Sequence, residues 1–346
     1  MTTLVIVGNG FDRFHELPTG YENYRAFLLS NYARLVDDFE CFPFLDNDGP
    51  ERWSDVEKTL TLAYEECLED ALGSYPLDLS ADNPGWNDPT ICIEGQTGFI
   101  NDFTGELFFR WLLSVDVMQA ENEVVFPSDS VFVTYNYTTV LEDVYGVSKS
   151  RIFHIHGSVD DVERDALLQN DYGTVPAVVI PDDWDGMDVE IARDEHNQSE
   201  ISSVIQFGSP SNDPIQVRRD LEKRYGREDF YGAMIETCVA ALERFCEAAS
   251  KCLSRNYKAL EEFVGRWNID RVVVFGHSFD SVDRPYYEDI FVPLLGDRPW
   301  TFIVYSDKGA QKAEDFCFEA GIGDFAFLSD KNKSVVDLRR STPDDL

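Results

Sequence analysis

Four short polar clusters hold the residue types that could do chemistry: Gly8-Asn9-Gly10-Phe11-Asp12-Arg13, Tyr135-Asn136-Tyr137-Thr138, His156-Gly157-Ser158 and Gly276-His277-Ser278-Phe279-Asp280. Each follows directly on an apolar run, respectively Leu4 to Val7, Val131 to Thr134, Ile152 to Ile155 and Val272 to Phe275. An imidazole with an unperturbed pKa of about 6.5 can accept a proton near neutrality, which makes His156 the candidate general base. The amide of Asn136 both donates and accepts hydrogen bonds, so it can orient a ribose or a water. Gly8 and Gly10 read as a tight turn whose amides face a pyrophosphate, with Arg13 as a partner for phosphate. Arg13 stands where G-x-G-x-x-G needs its third glycine, so the turn alone is a weak dinucleotide signal. Ser278 and Asp280 would hydrogen-bond ribose hydroxyls.

Other chemistries fit less well. A serine hydrolase built on Gly276-His277-Ser278 fails, because its elbow requires glycine at Asp280 and no histidine follows Ser278 in the chain. His154 and His156 are two apart on a strand and share a face, which leaves a metal-dependent hydrolase with Asp280 as an alternative. The leading reading requires no metal. Asp283, followed by Arg284 and Pro285, reads as the N-cap of a helix from Tyr286 at the edge of the same site. Ser54 with Glu57 and Thr139 with Glu142 have capping-box spacing, and helix starts account for both pairs.

Such clusters need a scaffold that gathers them. Further apolar runs at Ala177 to Ile180, Thr301 to Tyr305 and Phe325 to Leu328 read as buried strands. Segments with helical periodicity lie at Tyr21 to Phe39, Ser54 to Ser74, Phe103 to Gln119, Tyr231 to Trp267, Tyr286 to Leu294 and Gly309 to Ala320. This alternation predicts an α/β fold with a mostly parallel, Rossmann-like sheet, helices on both faces and an added helical layer. All strand carboxyl ends then share one edge, where ligands of such sheets bind. A single α/β domain is expected over 1–328, with helical insertions at about 21–120 and 182–267, and a frayed polar tail over 329–346. Pro76 to Gly98 and Asp182 to Glu200 read as surface insertions.

Composition narrows the classes. With 29 Lys and Arg against 65 Asp and Glu, the 346-residue chain carries a formal charge of −36, which disfavours nucleic acid as a partner. A hydrophobic content of 43% with 25 Phe supplies a core and argues against acidic disorder. Seven cysteines without a C-x-x-C pair fit free thiols in a reducing compartment. The start, Met1-Thr2-Thr3-Leu4-Val5-Ile6-Val7, has no basic n-region, and no run approaches a membrane span. The expected setting is cytoplasmic, without membrane.

Taken in order, the motifs resemble the bacteriophage abortive infection AbiH family. The residues that carry the likeness are Gly8 to Asp12 with Leu17-Pro18-Thr19-Gly20-Tyr21, Trp53 to Glu57, Tyr135 to Glu142, His156-Gly157 and Gly276 to Asp283. The likeness runs from residue 2 to about 305. Two departures are Glu16, where a glycine is expected before Leu17, and the high acidity. The resemblance implies a role in antiviral defence and phage resistance. The chain is more distantly similar to sirtuin-like defence proteins that cleave NAD, which implies a sirtuin-like core. Carried over, Asn136 and His156 would be catalytic. Gly8, Asn9, Gly10, Phe11, Asp12, Arg13, Gly157, Gly276, His277, Ser278, Asp280 and Asp283 would bind NAD, as substrate or ligand. The reaction would release nicotinamide and ADP-ribose, under control of a phage-derived trigger protein or of homo-oligomer formation. A nucleotide-binding sensor or scaffold without catalysis is the alternative.

Overall fold

The computed structural model describes residues 2–46, 52–75, 85–161, 206–226, 230–251, 253–279, 282–329 and 335–339. Eight strands are present among them: β1 (Thr2–Val7), β2 (Glu123–Val125), β3 (Val131–Thr134), β4 (Ile152–His154), β5 (Ile269–Phe275), β6 (Trp300–Val304), β7 (Phe325–Ser329) and β8 (Val335–Asp337). Six form one sheet in the order β4-β3-β1-β5-β6-β7, and every neighbouring pair is parallel. The expected fold class is thereby met.

Side-chain alternation explains why β1 can be apolar throughout. Leu4 and Ile6 join Val131, Val133, Val272 and Val274 in one core on one face of the sheet. Val5 and Val7 join Phe132, Val273 and Phe275 in a second core on the other face. A strand buried on both sides has no polar register, as a covered parallel sheet requires. The first face is covered by helix Leu253–Gly265, the helical stretch 284–295 and helix Asp307–Ala320; helix Asn9–Phe14 covers the second.

A third core contains no strand residue. It gathers Tyr24, Phe39, Phe103, Phe108, Trp111, Leu221 and Phe245 from helices between Tyr21 and Ser114 and between Pro214 and Ala248. This is the expected helical layer. No helix among the described residues is long and apolar enough to cross a membrane.

Several local expectations change. Within 76–98, the helix Asp88–Thr97 buries Ile93 completely, because Pro89 starts a helix whose apolar side meets the layer's core. The expected single helix from Tyr231 to Trp267 is two, Phe230–Ala248 and Leu253–Gly265, with Lys251 between them. Tyr21 to Phe39 likewise breaks at Tyr32. Beyond Ser329 the chain is not simply a frayed tail: β8 pairs with β2, and the alternating Val336 and Leu338 are buried. The strand expected at Ala177 to Ile180 and the insertion at Asp182 to Glu200 lie outside the described residues. Glu16, at the position where the resemblance expects glycine, adopts a left-handed φ of 60°.

Topology fixes where a ligand site can form. From β1 the chain moves outward to β3 and β4, then returns to place β5 on the other side of β1. The strand order reverses beside β1, and the loops leaving the carboxyl ends diverge there and leave a crevice.

Candidate functional site

A cavity of 690 Å³ opens at this reversal, within the size range of small-molecule sites. Its floor is made by the turns after β1, β3 and β5. Trp53, Glu57, Phe108, Trp111 and Lys251 of the helical layer form the opposite wall. The site therefore straddles the sheet edge and the layer.

The two glycine turns meet backbone to backbone. Gly8 N–H donates to the Phe275 carbonyl at 3.0 Å and Gly10 N–H to the Gly276 carbonyl at 2.8 Å. A Cβ on Gly10 would stand 2.6 Å from the Gly276 Cα, and Gly276 itself has a φ of 66°. The expectation that these two amides face a pyrophosphate is corrected: they are used inside the fold, and the glycines permit a close crossing of β1 and β5 loops. Arg13 lines the cavity at its exposed side and pairs with Glu22 at 3.5 Å.

Two buried polar networks reach the inner wall. In the first, Asn136 Nδ2 donates to Asp12 Oδ1 at 2.8 Å and Thr138 Oγ1 to Asp12 Oδ2 at 2.7 Å. This fixes the Asn136 amide and leaves its carbonyl oxygen and second N–H for other partners. Burial pushes Asp12 up to about 6 while those two hydrogen bonds resist.

The second network centres on Glu57, Lys251, His156 and Asp283, which are distant in sequence, with His277 and Tyr137 at its edge. Lys251 Nζ donates to Glu57 Oε2 at 2.6 Å and to Asp283 Oδ1 at 3.2 Å. His156 Nε2 lies 2.9 Å from the same Asp283 oxygen, and His277 Nε2 lies 3.6 Å from Asp283 Oδ2. Tyr137 places its hydroxyl 3.2 Å from Glu57 and 2.9 Å from the Gln206 carbonyl. Burial opposes the charge on Asp283, yet the Lys251 ammonium and the His156 ring hold its carboxyl well below the usual range. An ionised Asp283 makes His156 Nε2 a donor and leaves Nδ1 as the lone-pair nitrogen. Burial, then the Lys251 charge, pushes His156 down to about 4, so the ring is neutral at physiological pH. Burial pushes Glu57 up to about 7; Lys251 opposes this and the Asp283 and Asp55 carboxylates add to it.

Of the residues singled out in the sequence, Gly8, Asn9, Gly10, Asp12, Arg13, Asn136, His156, Gly276, His277, Ser278 and Asp283 line the cavity. Phe11 does not, because its ring turns into the core against Phe275 at 5.2 Å. Gly157, at a φ of 83°, makes the turn behind His156 without reaching the cavity. Asp280 lies outside the described residues. Asp283 stands at the N-cap position expected of it, before Arg284 and Pro285, but its carboxylate makes no cap hydrogen bond, because it is taken by Lys251 and His156. The helix at Val56 is capped by Asp55 instead of Ser54, which frees Glu57 to face the cavity. Glu142 meets His154 Nε2 at 2.9 Å instead of closing a capping box. His154 and His156 thus take different partners, and among the described residues no group of three or more His, Cys, Asp or Glu could hold a metal.

Sequence reasoning missed Lys251, which sits in the break Ala248-Ala249-Ser250-Lys251 between two apolar helices. Nothing local distinguishes it from a surface lysine. Its place is set by the bridge between Ser209 and Ser250, where Ser209 N–H donates to the Ala249 carbonyl at 2.8 Å.

No curated protein and no solved structure is matched by this chain. A family model does match, described as Bacteriophage abortive infection AbiH, over residues 4–305. That span runs from β1 to the cavity wall at Tyr305 and includes every motif that suggested the likeness, so the chain belongs to the AbiH family of bacteriophage abortive infection proteins.

Proposed function

We propose that this abortive-infection protein is an effector that binds NAD in the cavity and hydrolyses the bond between nicotinamide and ribose. The observation that carries this reading is the inner wall at the strand-order reversal, where an ionised carboxylate, Asp283, is held in place by a neutral imidazole and a buried ammonium. In the reaction the C1′–N bond breaks and its electron pair neutralises the ring nitrogen, so the leaving group needs no proton. Water adds to C1′ and gives up one proton. Asn136 orients the ribose or the water, fixed through Asp12. Asp283, ionised and held by Lys251 and His156, puts negative charge against the oxocarbenium-like centre, and the proton of the attacking water passes out to solvent.

His156 then acts behind Asp283 as a positioning residue. The sequence made it the base, with an ordinary imidazole pKa. Burial to 1% exposure and the neighbouring ammonium make the ring a weak base, while Asp283 is the more exposed of the pair. A phage-derived trigger protein or self-association would switch such an effector on, since unregulated NAD loss kills the host.

The test is incubation of the purified protein with NAD, with and without extract of phage-infected cells, and quantification of nicotinamide and ADP-ribose. Asp283→Asn and Asn136→Ala are expected to lower turnover by roughly 10²-fold or more, the usual scale for such groups. Wild-type release from either variant overturns the site. One observation favours a second reading, a nucleotide sensor without catalysis: both His156 Nδ1 and His277 Nε2 are buried from the cavity's solvent. Thermal stabilisation by NAD or ADP-ribose without product in either condition selects that reading.

A further inference from the structure

We propose that the inner end of the cavity is a recognition site for a planar, singly positive heteroaromatic ring, so that it takes oxidised nicotinamide dinucleotide and rejects the reduced form. This rests on the dinucleotide reading above and names what selects the substrate.

The charges point to a cation. Among the described residues that line the cavity, the Lys and Arg side chains are Lys251 and Arg13. Lys251 is held between Glu57 at 2.6 Å and Asp283 at 3.2 Å, so two carboxyl groups face one ammonium, and the inner wall gains a surplus negative charge as Glu57, pushed up to about 7, loses its proton. Asp55 adds to it from the rim. A phosphate would be repelled here and meets its counter-charge only at Arg13, on the exposed side.

The aromatic lining points to a ring. Tyr21, Phe108, Trp111, Tyr135 and Tyr137 line the same space, and aromatic faces attract a delocalised cation through their quadrupoles. Of the wall histidines, His156 Nδ1 is buried without a hydrogen-bond partner and His277 Nε2 faces Asp283 Oδ2 at 3.6 Å. Phe279 N–H donates to His277 Nδ1 at 3.0 Å, so the His277 proton is on Nε2. The His277 N–H therefore faces the Asp283 carboxylate and the His156 Nδ1 lone pair is closed off from the cavity, so what the wall presents to a ring is its aromatic faces.

Chemistry gives the preference a use. Before cleavage the ring is positive and the surplus carboxylate holds it. After cleavage nicotinamide is neutral, the attraction is lost and the product leaves. The reduced ring is neutral from the start and cannot act as a leaving group in this way.

The experiment is calorimetric titration of the full chain with NAD, its reduced form, ADP-ribose and the N1-methylnicotinamide cation, repeated with Glu57→Gln. The expected result is at least tenfold tighter binding of NAD than of its reduced form, and measurable binding of the methylated ring alone. Glu57→Gln should reduce both effects and leave ADP-ribose binding within twofold. Glu57 is faced by Lys251, Asp283, Asp55, Tyr21 and Tyr137. As its carboxyl loses its proton through about pH 7, affinity for the cation should rise, and Glu57→Gln should flatten that rise. Equal binding of oxidised and reduced dinucleotide overturns the inference and leaves the dinucleotide reading standing. Glu57-dependent binding of the methylated ring with no dinucleotide bound does the reverse. Failure of every probe to bind overturns both. The comparison of oxidised with reduced ligand uses only the wild-type protein, so it stands even if the variant folds poorly.

Discussion

At the residue scale, Lys251 carries the largest electrostatic consequence. Its side chain is 1% exposed and offsets two carboxylates at once, so removing it leaves both without their ammonium. Lys251→Met should cost roughly 3–5 kcal/mol in denaturant unfolding, the range for breaking a buried pair from one side. Adding Glu57→Gln to it should recover part of that loss; no recovery would show that the lysine contributes by packing alone. Asp12 gives a test with a definite sign. Its folded pKa is raised to about 6, so its contribution to stability is present in full below the unfolded value near 4 and is lost as pH rises through about 6. Between pH 4 and 7 the melting temperature of the wild type should therefore fall relative to that of Asp12→Asn. A pH-independent difference would show that Asp12 is not protonated preferentially in the fold.

At the element scale, the loop after helix Asn9–Phe14 stores backbone strain. Glu16 is exposed and sits at a φ of 60°, a conformation that costs a non-glycine residue roughly 1–2 kcal/mol. Glycine gives back about 0.5–1 kcal/mol through the unfolded chain. Glu16→Gly should thus stabilise by a few tenths to about 1 kcal/mol in chemical denaturation; destabilisation would mean that the Glu16 side chain contributes contacts of its own. Which elements were legible in the sequence follows the same logic. The strands β1, β3 and β5 are apolar on both faces, and that pattern survives any tertiary context. Helix Asp88–Thr97 was hidden, because the Asp, Asn, Pro and Gly around it mark a loop, and a single turn of apolar contact at Ile93 brings it into the layer.

At the scale of the whole molecule, the surplus of acid dominates. A formal charge of −36 repels itself in the compact state. Because the Debye length falls from about 30 Å at 0.01 M salt to about 3 Å at 1 M, added salt should raise the melting temperature. A melting temperature indifferent to sodium chloride would show that surface carboxylates are already neutralised by local pairs, such as Arg218 with Glu243 and Glu222. The same charge keeps polyanions away from the surface, while the cavity's negative inner end admits a ligand that carries positive charge at one end.

The sequence by itself determined the α/β class, the edge of the sheet where polar residues collect and the family to which the chain belongs. Those properties are local: an apolar run, a polar turn after it and their order along the chain are written residue by residue. Tertiary structure alone decided which side chains meet. Glu57, Lys251, His156 and Asp283 come from four separate segments, and two of them, Glu57 and Asp283, read locally as helix caps. Their roles are set by burial and by one another's charges, which no spacing in the chain encodes. The glycine turns show the same division. Their glycines were visible at once, but that they serve a crossing of two backbones and not an anion emerges only when β1 and β5 lie side by side.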